Sequence, residues 1–350
     1  MDGLFFVYLS SGLFLGWSLG ANDAANIFGT AVGTKMLRFR TAAIIASAFI
    51  ILGAVFTGAG ASNTLRELGN VNALAGAFMV ALSAALSVYS MIKSGIPVST
   101  SQAIVGAIVG WNYYAGKDTD YSILGQIMST WVLCPILSGI LAIIIYITIK
   151  KIIQKSGMHI LRQDCYTRIG LILACAFGAY ALGANNIANV MGVFVDSSPF
   201  HGITFQNGFH LDSTQILFLI GGISISCGVI TYSHKVIKTV GNNIMSMTPI
   251  TAWIAVVSQA IVLILFASLD LKIFLETNNL PSLPLVPVSS SQAVIGALIG
   301  IGIAKGSRDI NWHLLGRIAL GWLTTPIISA IVCFISLFFL ENVFTLNVFH

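Results

Sequence analysis

Two kinds of polar stretch interrupt the apolar sequence of this 350-residue chain, and each occurs twice. The first is Gly20-Ala21-Asn22-Asp23-Ala24-Ala25-Asn26, set in an apolar run from residue 4 to 34. It nearly recurs as Gly183-Ala184-Asn185-Asn186-Ile187-Ala188-Asn189. Of the 12 acidic residues only Asp23 falls well inside such a run, and no Lys or Arg precedes Lys35. An ionisable group at membrane depth costs at least ~2.5–3.5 kcal/mol, so by default it marks a functional site. Asp23 supplies the charge; Asn22, Asn26, Asn185, Asn186 and Asn189 supply neutral oxygens. Together they suit a hard cation such as Na+. The alternative is a proton carried by Asp23 itself. Gly20 and Gly183 would let a helix break there and expose backbone carbonyls to the same ion.

The second stretch is a hydroxyl cluster behind a proline. Pro97-Val98-Ser99-Thr100-Ser101-Gln102 opens a block ending at Gly110, and Pro287-Val288-Ser289-Ser290-Ser291-Gln292 opens a matching block ending at Gly300. The serines and threonine occupy N-cap and first-turn positions of a predicted helix. A helix N-terminus offers unpaired N–H groups and about half a positive charge. Two such starts meeting near the midplane would hold a tetrahedral oxyanion, with Ser99, Thr100, Ser101, Ser289, Ser290 and Ser291 as added donors. Lys93 precedes the first block but nothing comparable precedes the second, so it is read as interfacial.

Placing these groups requires a membrane scaffold. The chain is 56% hydrophobic and 8% charged, against about a quarter charged in water-soluble proteins. The charges cluster between apolar runs near 4–34, 41–61, 72–92, 97–115 and 122–149, then 168–195, 215–233, 250–270, 287–304 and 311–340. The first run lacks a basic n-region and a cleavage site, so it is expected to be retained. Beyond the two paired stretches, Gly125, Trp131, Pro135 and Ser138 match Gly316, Trp322, Pro326 and Ser329 in the same order. The chain is an internal repeat: residues 1–149 form the first copy, 150–167 a basic cytoplasmic linker, and 168–350 the second copy.

If each copy crosses an odd number of times, Lys35, Arg38, Arg40, the linker cluster, Lys235, Lys238, Lys305 and Arg308 share one side. Arg66, Lys117 and Lys272 are left opposite. The positive-inside rule then puts both termini outside and makes the second copy an upside-down version of the first. The expected fold is an all-α polytopic membrane protein with two inverted-topology repeats of about five segments each. Broken helices or re-entrant hairpins lie at its midplane, the architecture of secondary transporters. The segments after Pro97 and Pro287 either span or re-enter.

Other chemistry finds little support. The six histidines lie in linkers or at segment ends, and the five cysteines lack paired spacing. Neither a Walker loop, a His-Glu-x-x-His motif nor an acid pair appears, so no enzyme and no cofactor is expected. The excess of basic residues reads as orientation signal and gives no nucleic-acid surface.

At these motifs the sequence resembles the inorganic phosphate transporter family, the PiT-type phosphate permeases, across nearly the whole chain. That family carries a duplicated Gly-Ala-Asn-Asp-x-x-Asn motif and a duplicated Pro-x-Ser-Thr-Thr-His motif. The resemblance implies symport of inorganic phosphate with Na+ or H+ across the cell membrane. It makes Ser99, Thr100, Ser101, Ser289, Ser290 and Ser291 anion ligands, with Asn22 and Asn185 counted in the same set. It makes Asp23, Asn26, Asn186 and Asn189 ligands of the coupling cation, and it implies a homodimer. Two departures stand out: Asn186 replaces a second aspartate, and Gln102 and Gln292 replace histidines. Sulfate or another tetrahedral oxyanion is the alternative cargo, and an anion channel the alternative mechanism.

Overall fold

The computed structural model describes residues 3–69, 71–93, 98–204, 210–234, 237, 247–306 and 310–349. Pro97, Lys235, Lys238 and Arg308 lie outside the described residues.

Twelve α-helices carry the described fold: α1 (Gly3–Gly33), α2 (Phe39–Thr57), α3 (Ala59–Leu68), α4 (Leu74–Lys93), α5 (Thr100–Ala115) and α6 (Tyr121–Ser156), then α7 (Ile160–Met191), α8 (Ser213–Thr231), α9 (Pro249–Leu265), α10 (Leu269–Thr277), α11 (Ser290–Ala304) and α12 (Trp312–Asn342). The chain is all-α apart from a two-residue ribbon that pairs Ile203–Thr204 with His210–Leu211 among the described residues. Side-chain caps start several helices. Asp212 and Thr248 form capping boxes, and Asp120 accepts from the first backbone N–H groups of α6.

Among the described residues, seven helices are long and apolar enough to cross a membrane. An eighth span arises if α9 and α10, bent by 72° at their break, count together. The ten apolar runs are therefore present, but two do not make full spans. Helices α5 and α11 have 16 and 15 residues, about 22–24 Å at 1.5 Å per residue, short of a ~30 Å hydrocarbon core. Both start inside the bundle, since Val98 and Val288 before them are fully buried. The predicted basic linker is mostly helical: α6 runs to Ser156, Gly157 takes the left-handed conformation (φ 56°), and α7 starts at Ile160.

The repeat is written into the packing. A Cβ on Gly20 of α1 would overlap the Ile225 carbonyl of α8, and one on Gly228 of α8 would overlap the Trp17 carbonyl of α1. The other pairing matches: Gly183 of α7 sits on the Ile50 carbonyl of α2, and Gly53 of α2 on the Tyr180 carbonyl. Likewise Gly106 and Gly110 of α5 abut Pro326 and Ala330 of α12, while Gly296 and Gly300 of α11 abut Pro135 and Gly139 of α6. Each copy therefore packs its central helices into the other, backbone against backbone.

These contacts correct one expectation. Gly20 and Gly183 do not break their helices; α1 and α7 run unbroken through both motifs. The glycines are there because a carbonyl of the crossing helix occupies the space of a side chain.

At one end of the bundle Arg66, in the last turn of α3, pairs with Asp196 beyond α7 through two hydrogen bonds. Both side chains are more than a third exposed. Arg66→Ala is expected to cost no more than about 1 kcal/mol, read as a small change in thermal unfolding in detergent.

Candidate functional site

The two serine blocks meet. Ser101 Oγ donates to the Val288 carbonyl (3.1 Å), and Ser291 Oγ donates to the Val98 carbonyl (3.0 Å). Each helix start is thus tied by its own serine to the residue before the other helix. Ser99 and Ser289 are the N-caps, accepting from the backbone N–H of Gln102 (3.2 Å) and Gln292 (3.3 Å). Ser289 also shares a hydrogen bond with Ser291 (2.9 Å). Two helix N-termini, one from each copy, therefore converge with their partial positive charges in the interior.

The Asn/Asp motifs flank this meeting point. On one side, Asn189 Nδ2 donates to Ser101 Oγ (2.8 Å) and to Asn186 Oδ1 (3.0 Å), and Ser101 Oγ lies 3.4 Å from Asn186 Oδ1. On the other, Asp23 accepts from Asn22 Nδ2 (2.7 Å), and the Ser290 hydroxyl lies beside it without reaching hydrogen-bond geometry. Each motif of one copy thus faces the serine block of the other. Asn26 is half-buried on α1. Asp23, Asn186, Asn189 and all residues of 99–102 and 289–292 are at most 2% exposed, so the site is closed to solvent in this conformation.

Asn22 and Asn185 also hold backbone of the neighbouring segments. Asn22 Nδ2 also donates to the Val98 carbonyl (3.1 Å). Asn185 Nδ2 donates to the Leu263 (3.2 Å) and Val286 (3.4 Å) carbonyls, and its Oδ1 accepts from Val288 N–H (2.8 Å). Asn185 thus braces the extended segment ahead of α11, while Asn22 divides its amide between Asp23 and the segment ahead of α5. Asn185→Ala leaves the Val288 N–H unpaired in the interior. The expected loss is about 1–3 kcal/mol for that group alone, measured by thermal unfolding.

Several polar atoms at the meeting point are buried and lack any partner: Thr100 Oγ1, Ser290 Oγ, Gln102 Oε1, Gln292 Oε1, Asn186 Nδ2 and Asn189 Oδ1. Native interiors rarely leave such groups without a protein, water or ion partner. The charge balance points the same way. Among the described residues the ion pairs are Arg66–Asp196 and Lys272–Glu276, so no cationic side chain compensates Asp23. A buried carboxylate without one takes up a proton or a cation. Lys93 does not supply the charge, because it is exposed and sits over the Tyr89 ring (4.9 Å). Among the described residues no three His, Cys, Asp or Glu side chains converge.

A family model described as the phosphate transporter family matches residues 19–333, and again 277–348. The chain belongs to the phosphate transporter family. A relative from Methanocaldococcus jannaschii, assigned as a putative phosphate permease, is 28% identical over 317 residues, 91% of each chain. Another so assigned, from Thermococcus kodakarensis, is 24% identical over 410 aligned positions, covering 95% of this chain and 96% of that one. The solved structure of a protein titled the sodium-dependent phosphate transporter overlays with a TM-score of 0.75. It covers 97% of this chain and 99% of that one at 21% identity, which establishes a common fold.

Within this phosphate transporter family member, the blocks and motifs picked out by their repetition are the residues brought together. What the sequence did not reveal is the bracing role of Asn22 and Asn185. Their spacing from Asp23 and Asn186 is the same as that of a ligand, and only the fold shows which way each amide faces.

Proposed function

We propose that this chain imports inorganic phosphate across the cell membrane by symport with Na+ or H+, through alternating access. The observation that carries this reading is the junction itself. Two serine-capped helix starts, one from each copy, face each other beside a buried Asp23 that pairs with no cation among the described residues. Ser99, Thr100, Ser101, Ser289, Ser290 and Ser291, with the first-turn N–H groups, bind the anion. Asp23 and Asn26 bind the coupling ion, and Asn186 and Asn189 form the matching, uncharged side.

Coupling answers an energetic need. An anion entering an inside-negative cell works against ~2.3 kcal/mol per charge per 100 mV, and a cation bound at Asp23 offsets part of that charge. The closed site corresponds to the occluded state of such a cycle. The basic cluster at 150–168 faces the cytoplasm by the positive-inside rule, which puts both termini outside.

The test is uptake of radiolabelled phosphate into proteoliposomes, with Na+ and pH gradients imposed separately. Concentrative uptake driven by one of the gradients and weakly inhibited by sulfate is the expected result. Phosphate flux that ignores both gradients would mean a channel, and preferential uptake of sulfate would reassign the cargo.

A further inference from the structure

A groove apart from the serine junction opens at the hairpin that joins the two copies. Helix α6 has 36 residues, about 54 Å at 1.5 Å per residue, well beyond a ~30 Å hydrocarbon core. Its final turns carry Lys150, Lys151 and Lys155, so this end stands in the headgroup layer, where Gly157 turns the chain back into α7. Between these helix ends and the start of α9 lies a cavity of about 210 Å³. Ile149 and Ile153 of α6, Tyr166 and Gly170 of α7, and Ile250 and Trp253 of α9 are among its walls. Gly170 lets α7 approach the indole, since a Cβ there would stand 3.1 Å from Trp253 Nε1. The surface inside is almost wholly apolar, and the Thr167 hydroxyl is spent on the Gln163 carbonyl (2.8 Å).

Around this apolar slot the charge is one-sided. Residues 149–170 hold Lys150, Lys151, Lys155, Arg162 and Arg168 against Asp164 alone. All five cations are exposed, and none belongs to an ion pair among the described residues. Lys150 follows the lining Ile149 and Arg162 precedes the lining Gln163, so a cation borders the groove on each of two helices. An apolar slot, a Trp and a Tyr at the interface, and unpaired cations at headgroup level complement an amphiphile with an anionic head. A zwitterionic lipid would fill the slot but leave the cations uncompensated. A free anion would meet the cations and leave the slot empty.

We propose that this groove binds an anionic phospholipid, with one acyl chain in the slot and the phosphate held by Lys150 and Arg162. The site rests on membrane insertion of α6 and α7 and is independent of the solute carried.

The test uses the full chain reconstituted in phosphatidylcholine bilayers containing increasing fractions of phosphatidylglycerol brominated on its acyl chains, which quenches nearby indoles. Subtracting the signal of Trp253→Phe isolates Trp253 among the 6 tryptophans. Trp253 should be half-quenched at a fraction roughly twentyfold lower than with brominated phosphatidylcholine, since each interfacial cation contributes about fivefold. Lys150→Gln should raise that fraction about fivefold, and K150Q combined with R162Q should erase the preference. If Trp253→Phe does not run as folded protein in gel filtration, Trp253→Tyr takes its place. Equal quenching by the two lipids overturns the proposal, as does a preference that survives in the K150Q/R162Q variant. Absence of quenching by either lipid overturns it too, and is the outcome expected if a second copy of the chain covers the groove. Loss of the preference in inorganic phosphate, but not in sodium chloride of equal ionic strength, would make this a free-anion site instead.

Discussion

Asp23→Asn is expected to abolish gradient-driven phosphate uptake while leaving the protein as stable as before, or more so. The side chain is 2% exposed, it lies on a membrane-crossing helix, and no cationic side chain compensates it among the described residues. Removing a buried charge of this kind relieves a desolvation cost, so the folded state gains. The transport cycle loses, because the amide binds neither a proton nor the full charge of a cation. The protein contains its own precedent at the matching position, where the neutral Asn186 Oδ1 accepts from Asn189 Nδ2 beside Ser101. The pair of measurements is uptake in proteoliposomes and thermal unfolding in detergent. Full uptake by the variant would remove Asp23 from the coupling mechanism, and a large loss of stability would make its role structural. The converse change, Asn186→Asp, adds a second buried carboxylate and is expected to lower stability unless Na+ is present.

The second large effect is expected from the crossing points. Gly20→Val and Gly183→Val should each cost about 1–3 kcal/mol or more, since the added side chain meets a backbone carbonyl that cannot swing away. The expected result is a lower yield of monodisperse protein and a lower unfolding temperature, with transport lost. Gly125→Val and Gly316→Val are the controls. These glycines also match between the copies, yet nothing lies within 4 Å of a Cβ built on either. Equal damage at all four positions would mean that the close approach is not the cause.

These glycines also show where sequence reasoning stops. Repetition of Gly20 and Gly183 was visible, and a helix break was a reasonable use for them, because glycine serves both backbone freedom and close approach. Only the partner helix distinguishes the two, and α8 and α2 are far away in sequence. The serine blocks were legible because a proline, a hydroxyl cluster and a helical run state a helix start locally. Asp23 was legible for a different reason, since a lone acid in an apolar run needs no tertiary information to look expensive. Asn22 and Asn185 were not, because their bonds reach residues 76 and 78–103 positions away. The count of ten apolar runs was right in number, but α5 and α11 proved too short to span. Composition alone cannot separate a short buried helix from a short membrane segment.

The exchange of hydroxyls between Val98 and Val288 bears on how the molecule can be taken apart. Cutting the chain at Gly157, in the turn between α6 and α7, yields two fragments that each own one serine block and one Asn motif. The cut separates Ser101 from Asn186 and Asn189 and the two exchanged serine–carbonyl bonds, while the Asn22 and Asn185 bonds to Val98 and Val288 stay within one piece. Activity should therefore return only when both pieces are produced together and inserted in opposite orientations, and a fragment alone is an unfinished half of a socket.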